Sequence, residues 1–263
     1  MSALPQRSGE VPKLRVAALQ CRAITADVDA NLARLSRYAQ HTAALGAEVL
    51  VVPEMYLTGY AIGDQLEALA LVSGSATLGA VAEISRASGL ALVVGYPERR
   101  GSQIFNVASL WRADGQLACT YAKKQLFGVA EQRRFQAGAT HPVCEVAGCK
   151  ASLLICYDVE FPEPSRAIAR AGADVIFAPT ANMQPYVLAA DIQPRARALE
   201  NGLAMVYVNY VGDEGGLTYT GLSVIVGADG EVLARAGSQS ECLLLADIPL
   251  VGITRSTQLT DCC

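Results

Sequence analysis

The sequence predicts an α/β protein built as a four-layer α-β-β-α sandwich with mixed sheets, and three observations carry that expectation. Short apolar, β-branched runs alternate with amphipathic segments along the chain, the order of elements found in α/β folds. Two Asp-Gly bends, Ala113-Asp114-Gly115 and Ala228-Asp229-Gly230, each separate two strand-like runs, so antiparallel hairpins join the parallel strands. The helical segments are apolar on one face only, which places them outside two sheets packed against each other.

Taken in order, residues 14–20 form an apolar strand and residues 28–45 return apolar side chains at helical spacing. Residues 49–53 are a second buried strand, residues 66–88 are helical with a break near Gly74, and residues 90–97 are a third strand. Residues 106–112 and 117–123 are the arms of the first hairpin. Residues 143–146 and 151–157 are strands joined by Gly148-Cys149-Lys150, followed by an amphipathic helix over 162–171 and a strand over 175–179. Residues 193–202 are helical, 205–210 a strand, 221–234 the second hairpin, and 240–248 the strand that completes the sheets. Residues 1–12 are polar and read as a flexible segment, and residues 13–263, which hold no linker-like stretch, read as a single domain.

Composition narrows the function. Of 263 residues, 52% are apolar and 17% charged, enough for a large core. No run approaches the roughly 18 apolar residues of a membrane span, and the net charge of -4 with scattered Lys and Arg disfavours nucleic acid. A small-molecule partner is expected instead. The N-terminal residues show neither a secretory nor an organelle-targeting pattern, so a cytoplasmic location is expected, where the eight cysteines stay reduced. Two histidines and no C-x-x-C spacing leave too few ligands for zinc or an iron–sulfur cluster; neither metal nor cofactor is expected. The final Cys262-Cys263 pair suggests no function.

Three strand ends carry reactive groups. Cys156 closes an apolar run and opens the polar stretch Tyr157-Asp158-Val159-Glu160, a placement that holds a side chain rigidly at a loop-lined cleft. Taken alone it reads more readily as a buried core thiol. Glu54 follows the apolar run Val49-Leu50-Val51-Val52-Pro53, where burial raises a carboxylate's pKa towards that of a general base; an edge carboxylate turned to water is the alternative. Lys123 ends another strand and in isolation reads as a solvated cation, as its neighbour Lys124 does. If the sheets bring the three ends together, the carboxylate can take the thiol proton and the ammonium can hold a thiolate and then an oxyanion. A thiol near pKa ~8.5 is otherwise only slightly ionised at neutral pH.

Pro53-Glu54-Met55 with Thr58-Gly59-Tyr60, Tyr121-Ala122-Lys123 with Leu126-Phe127-Gly128, and Cys156-Tyr157-Asp158 with Phe161-Pro162-Glu163 resemble the nitrilase superfamily in order and spacing. Ala18-Leu19-Gln20, Asn31, Arg134-Phe135 with Gly138, Arg197-Ala198-Leu199-Glu200-Asn201, and Gly221 with Ser223 extend the resemblance over nearly the whole chain. It implies the α-β-β-α fold, assembly as homodimers or larger homo-oligomers, and a Glu-Lys-Cys catalytic set with a thioester intermediate. The lysine of that set aligns with Lys123 rather than Lys124, and Gln125 departs from the histidine common at its position. Glu131, eight residues after Lys123, aligns with the second glutamate of amidase members; a loop carboxylate paired to Arg133 or Arg134 is the alternative. The resemblance also implies that Lys123 and the Tyr157 backbone N–H hold the oxyanion while Glu54 shuttles protons.

Tyr157-Asp158 after the cysteine looks like the amidase branches, whereas nitrilases more typically carry Trp-Glu there. A small aliphatic or amino-acid-type amide is therefore expected, with nitriles and N-carbamoyl compounds as alternatives within the fold. Tyr60, Asn182 and Tyr186 join Tyr157 as expected pocket residues, although each can equally serve packing. A non-catalytic protein that keeps the fold and binds a metabolite is the rival of another class. Nucleotide-binding glycine loops and G-x-S-x-G are absent from the sequence.

Overall fold

The computed structural model describes residues 12–250, so most of the segment expected to be flexible, and Cys262-Cys263, lie outside the described residues. The first half runs β1 (Lys13–Gln20), α1 (Val28–Ala44), β2 (Val49–Val51), α2 (Leu66–Leu69), α3 (Ala76–Ser88), β3 (Ala91–Arg100), β4 (Gln103–Trp111), β5 (Leu117–Ala122) and α4 (Gly128–Arg134). The second runs β6 (Val143–Val146), β7 (Cys149–Leu153), α5 (Pro162–Arg170), β8 (Val175–Pro179), α6 (Val187–Asp191), α7 (Gln193–Asn201) and β9 (Ala204–Val208). It ends with β10 (Val211–Glu214), β11 (Leu217–Thr220), β12 (Val224–Val226), β13 (Val232–Arg235) and β14 (Cys242–Pro249).

Two six-stranded sheets result, ordered β14-β1-β2-β3-β4-β5 and β13-β12-β9-β8-β7-β6, while β10 and β11 form a separate hairpin. Each large sheet has three parallel strands at its centre, β1-β2-β3 and β7-β8-β9, with antiparallel strands outside. The mixed pairing matches the sequence expectation. The strand period of two explains how one run serves two layers. Val16 and Ala18 of β1 face the second sheet, in one core with Leu153, Phe177 and Val206, whereas Ala17 and Leu19 face outward onto Leu35 of α1 and Val81 of α3. Ile168 of α5 and Ala198 of α7 cover the second sheet. Each aliphatic side chain taken fully out of water contributes about 1.5–3 kcal/mol, so the interface between the sheets is the main source of cohesion.

Helix boundaries follow local chemistry. Asp27 caps α1 by accepting from the Ala30 N–H at 2.9 Å, and Gly89, in the left-handed region at φ 65°, ends α3. The expected helix over 66–88 is broken into α2 and α3, with Gly74 at φ 76° in the gap. The hairpin between β3 and β4 is an addition: Arg99 and Arg100, polar enough to read as loop, pair with Ile104 and Gln103. The β10–β11 hairpin and helices α4 and α6 also lay beyond the sequence reading, because each is short. Among the described residues, no helix is long and apolar enough to cross a membrane.

Candidate active site

Glu54 and Lys123 leave the first sheet, and Cys156 leaves the second. After β2 the chain stays extended through Val52, whose N–H donates to Val93 at 3.1 Å, then turns at Met55 with φ 54°. Gly95 permits that turn: a Cβ there would lie 2.6 Å from the Met55 nitrogen. Lys123 directly follows β5 and is fixed through its backbone, donating to the Asn106 carbonyl at 2.8 Å.

Cys156 corrects one sequence expectation. The strand stops at Leu153 rather than running to Tyr157, and Cys156 instead opens a 3₁₀ turn over Cys156–Glu160 at φ 46°. A non-glycine residue held there costs on the order of 1–3 kcal/mol and persists only where its surroundings over-determine it. Asp158 supplies that constraint. Fully buried, its carboxylate accepts from the Ile155 N–H at 3.0 Å and the Tyr121 hydroxyl at 2.9 Å on one oxygen, and from the Gln125 N–H at 2.8 Å on the other. It thereby ties the cysteine turn to the lysine loop. The contact at Gln125 uses the backbone, so the departure from histidine leaves it intact.

The charged groups converge in a closed interior. Lys123 Nζ donates to Glu54 Oε1 and Glu131 Oε1, both at 2.8 Å, and all three residues are at most 4% exposed. Asn106 Nδ2 donates to Glu54 Oε1 at 2.7 Å, while Glu54 Oε2 is buried with no protein partner. Glu131 lies on α4 rather than in a loop, and its partners are Lys123, the Tyr60 hydroxyl at 2.7 Å and the Phe127 N–H at 2.7 Å. Arg133, Arg134 and Lys124 are exposed.

Two carboxylates around one ammonium set the proton affinities. Burial raises the pKa of Glu54, and Lys123 only partly offsets it. Burial pulls Lys123 down, but Glu54 and Glu131 overcome this and hold it well above the ordinary lysine value. The Cys156 thiol is pushed well above its usual range by burial and by Glu54, against the opposing pull of Lys123 and the Ala181 backbone N–H. Burial thus favours the protonated thiol at Cys156, and nucleophilic chemistry there requires a neighbouring group to take up its proton.

Aromatic rings surround this centre. Phe127 meets Tyr157 and Tyr186 edge-on at 5.2 and 5.4 Å between centroids, and Tyr157 meets Phe161 at 5.0 Å. Tyr186 is exposed, while Asn182 is buried and donates through Nδ2 to the Tyr186 carbonyl at 2.9 Å and Thr220 Oγ1 at 3.1 Å. What Asn182 can offer a ligand is its Oδ1. Sequence reasoning assigned no function to Asn106, Phe127, Asp158 or Ala181. The one available signal was an amide between apolar neighbours in Phe105-Asn106-Val107.

The carbon-nitrogen hydrolase profile matches residues 15–258. The chain belongs to the carbon-nitrogen hydrolase family. Within it, the chain is an amidase-like hydrolase of carbon–nitrogen bonds other than peptide bonds. It is 43% identical to a hydrolase from the pqqF 5' region of Pseudomonas protegens over 94% of this chain and 87% of that protein. An (R)-stereoselective amidase of a Pseudomonas species is 35% identical over 85% of this chain and 81% of its own. Among solved structures, a mutant of the amidase from Nesterenkonia sp. AN1 superposes with a TM-score of 0.83 and 34% identity, covering 96% of this chain and 98% of that one. That structure carries the acetamide moiety of fluoroacetamide covalently added at its active-site cysteine. This carbon-nitrogen hydrolase shares the two-sheet architecture of that amidase.

Proposed function

We propose that this carbon-nitrogen hydrolase converts a small aliphatic or amino-acid-type amide to a carboxylic acid and ammonia through a Cys156 thioester. The observation that carries the reading is the buried Glu54–Lys123–Glu131 cluster at the Cys156 turn. The Cys156 thiol gives its proton to Glu54 as sulfur attacks the amide carbon, and the oxyanion is held by Lys123 Nζ and the Tyr157 N–H at the start of the 3₁₀ turn. Collapse breaks the C–N bond, Glu54 returns the proton to the departing nitrogen, and ammonia leaves a thioester. Water then gives a proton to Glu54 and adds to the thioester, which releases the acid and restores the thiol. Glu131 orients the amide from the other side of Lys123, and Tyr60, Tyr157, Asn182 and Tyr186 line the pocket.

The same reading makes residues 13–263 one domain in a cytoplasmic homo-oligomer that needs neither metal nor cofactor. The six described cysteines are free thiols, which suits a reducing compartment. Leu188, Ile192 and Leu199 expose apolar side chains around α6 and α7, as a subunit contact would require.

The direct test is ammonia release from a panel of short aliphatic amides, amino-acid amides, ω-amides, N-carbamoyl amino acids and nitriles. Turnover is expected among the amides; turnover of nitriles alone, or binding with no turnover of any compound, overturns the reading. The pH profile checks the base. Protonating Glu54 removes the proton acceptor, so kcat/KM falls as pH falls through its folded pKa, which burial has raised. The acid limb is therefore expected above the ordinary carboxylate range, and a limb within that range means that another group is the base.

A further inference from the structure

Glu214, the last residue of β10, is a buried carboxylate whose hydrogen-bond partners are all neutral. Its Oε1 accepts from Thr25 Oγ1 at 2.8 Å. Its Oε2 accepts from the backbone N–H groups of Tyr60 at 3.2 Å and Ala61 at 3.1 Å, and from the Tyr219 hydroxyl. Burying a carboxylate without a cation is costly unless such bonds hold it, and here they converge on one loop. The loop is shaped to receive it: at Gly59, φ 82°, a Cβ would lie 2.3 Å from Glu214 Oε1. The other end of that loop is pinned to the Glu54 turn, since the N–H groups of Thr58 and Gly59 donate to the Met55 carbonyl at 3.0 and 2.8 Å.

We propose that Glu214 is a positioning residue that clamps the backbone of Tyr60 so that its hydroxyl fixes Glu131 beside Lys123. The chain of contacts runs from Glu214 to the Tyr60 N–H, from the Tyr60 hydroxyl to Glu131 Oε1 at 2.7 Å, and from that same oxygen to Lys123 Nζ at 2.8 Å. The β10–β11 hairpin is anchored on its other side by a different element. Thr218 accepts from the Gln184 N–H at 2.8 Å, and the Thr220 N–H donates to Asn182 at 3.0 Å, next to the Ala181 N–H that faces Cys156. The hairpin therefore spans from the cysteine side of the site to the glutamate side, with Glu214 as its grip on the latter.

A double-mutant cycle in the full-length chain tests this. Glu214→Ala and Tyr60→Phe are each expected to lower kcat/KM on a short aliphatic amide by about 10–100-fold, the scale of a small misplacement of a catalytic group. Because one acts through the other, the double variant should fall no further than the slower single. Glu214→Gln, which still presents an oxygen to the two N–H donors and an amide to Thr25, should recover most of the loss. Thermal melts of each variant separate rate from folding, and Glu214→Asp, too short by one methylene, carries the same test if Glu214→Ala does not fold. The proposal rests on the amide-hydrolase reading, so the cycle is repeated on the rate at which 2-fluoroacetamide alkylates Cys156, which needs no turnover. Losses that multiply in the double variant, or a folded Glu214→Ala at wild-type rate, overturn the proposal. Failure on every amide with the alkylation cycle still non-additive overturns only the substrate reading.

Discussion

Under the proposed thioester mechanism, Cys156→Ala is expected to fold and melt close to the wild-type protein but to lose ammonia release, with kcat reduced by at least about 10⁴-fold, the scale on which removal of a covalent nucleophile acts. The fold is expected to tolerate the change because the strain at this position belongs to the backbone. Alanine at φ 46° meets the same steric cost as cysteine, and Asp158 still holds the turn from both flanks. The loss of one small sulfur contact amounts to about 1 kcal/mol. Intact-protein mass spectrometry during turnover provides a second readout: an acyl adduct on the wild-type chain and none on the variant. Hydrolysis retained by folded Cys156→Ala would remove the thioester mechanism.

Lys123→Met is expected to damage both activity and stability. The ammonium is the shared partner of Glu54 and Glu131, at 2.8 Å from each, and all three are buried. Removing one member of such a cluster leaves uncompensated buried charge and costs about 3–5 kcal/mol, measurable as a lower denaturant midpoint. The pH dependence has a definite sign. Burial already raises Glu54 above its unfolded value, and Lys123 is what pulls it back; without the lysine it rises further. A carboxylate with a raised folded pKa favours the folded state while protonated and loses that contribution as pH rises through the folded pKa. The deficit of Lys123→Met relative to wild type should therefore be smallest at acid pH and grow towards neutrality. Wild-type turnover and stability in this variant would contradict the arrangement of charges described above.

Much of this was legible because the decisive patterns are local. β1 and β8 announce themselves as apolar runs, α1 by its spacing and Asp27 cap, and Glu54, Lys123 and Cys156 by the strings around them. What escaped depends on register and on contacts between distant segments. Asn106 reaches Glu54 only because β4 pairs with β3 at a particular offset, Asn106 opposite Pro97. Asp158 stands inside a quoted motif, yet its work is to accept from Tyr121 and Gln125, more than thirty residues away. Glu214 sits in a hairpin too short and too rich in glycine to read as sheet, and nothing in its neighbours points to a loop 154 residues earlier. The end of β7 escaped for a different reason: Leu154 and Ile155 stay apolar and buried after the ladder has ended, so hydrophobicity alone overshoots the turn that presents Cys156.

The division of the site between the sheets has a consequence for how the activity is lost. Glu54 and Lys123 follow strands of one sheet, while Cys156 and Ala181 follow strands of the other, and the main core lies between them. On the proposed mechanism, a proteolytic or engineered fragment that ended before Cys156 or began after Lys123 would be chemically silent. The proposed catalytic set forms only at the seam between the sheets, which would make turnover a sensor of whether the two sheets are packed upon each other.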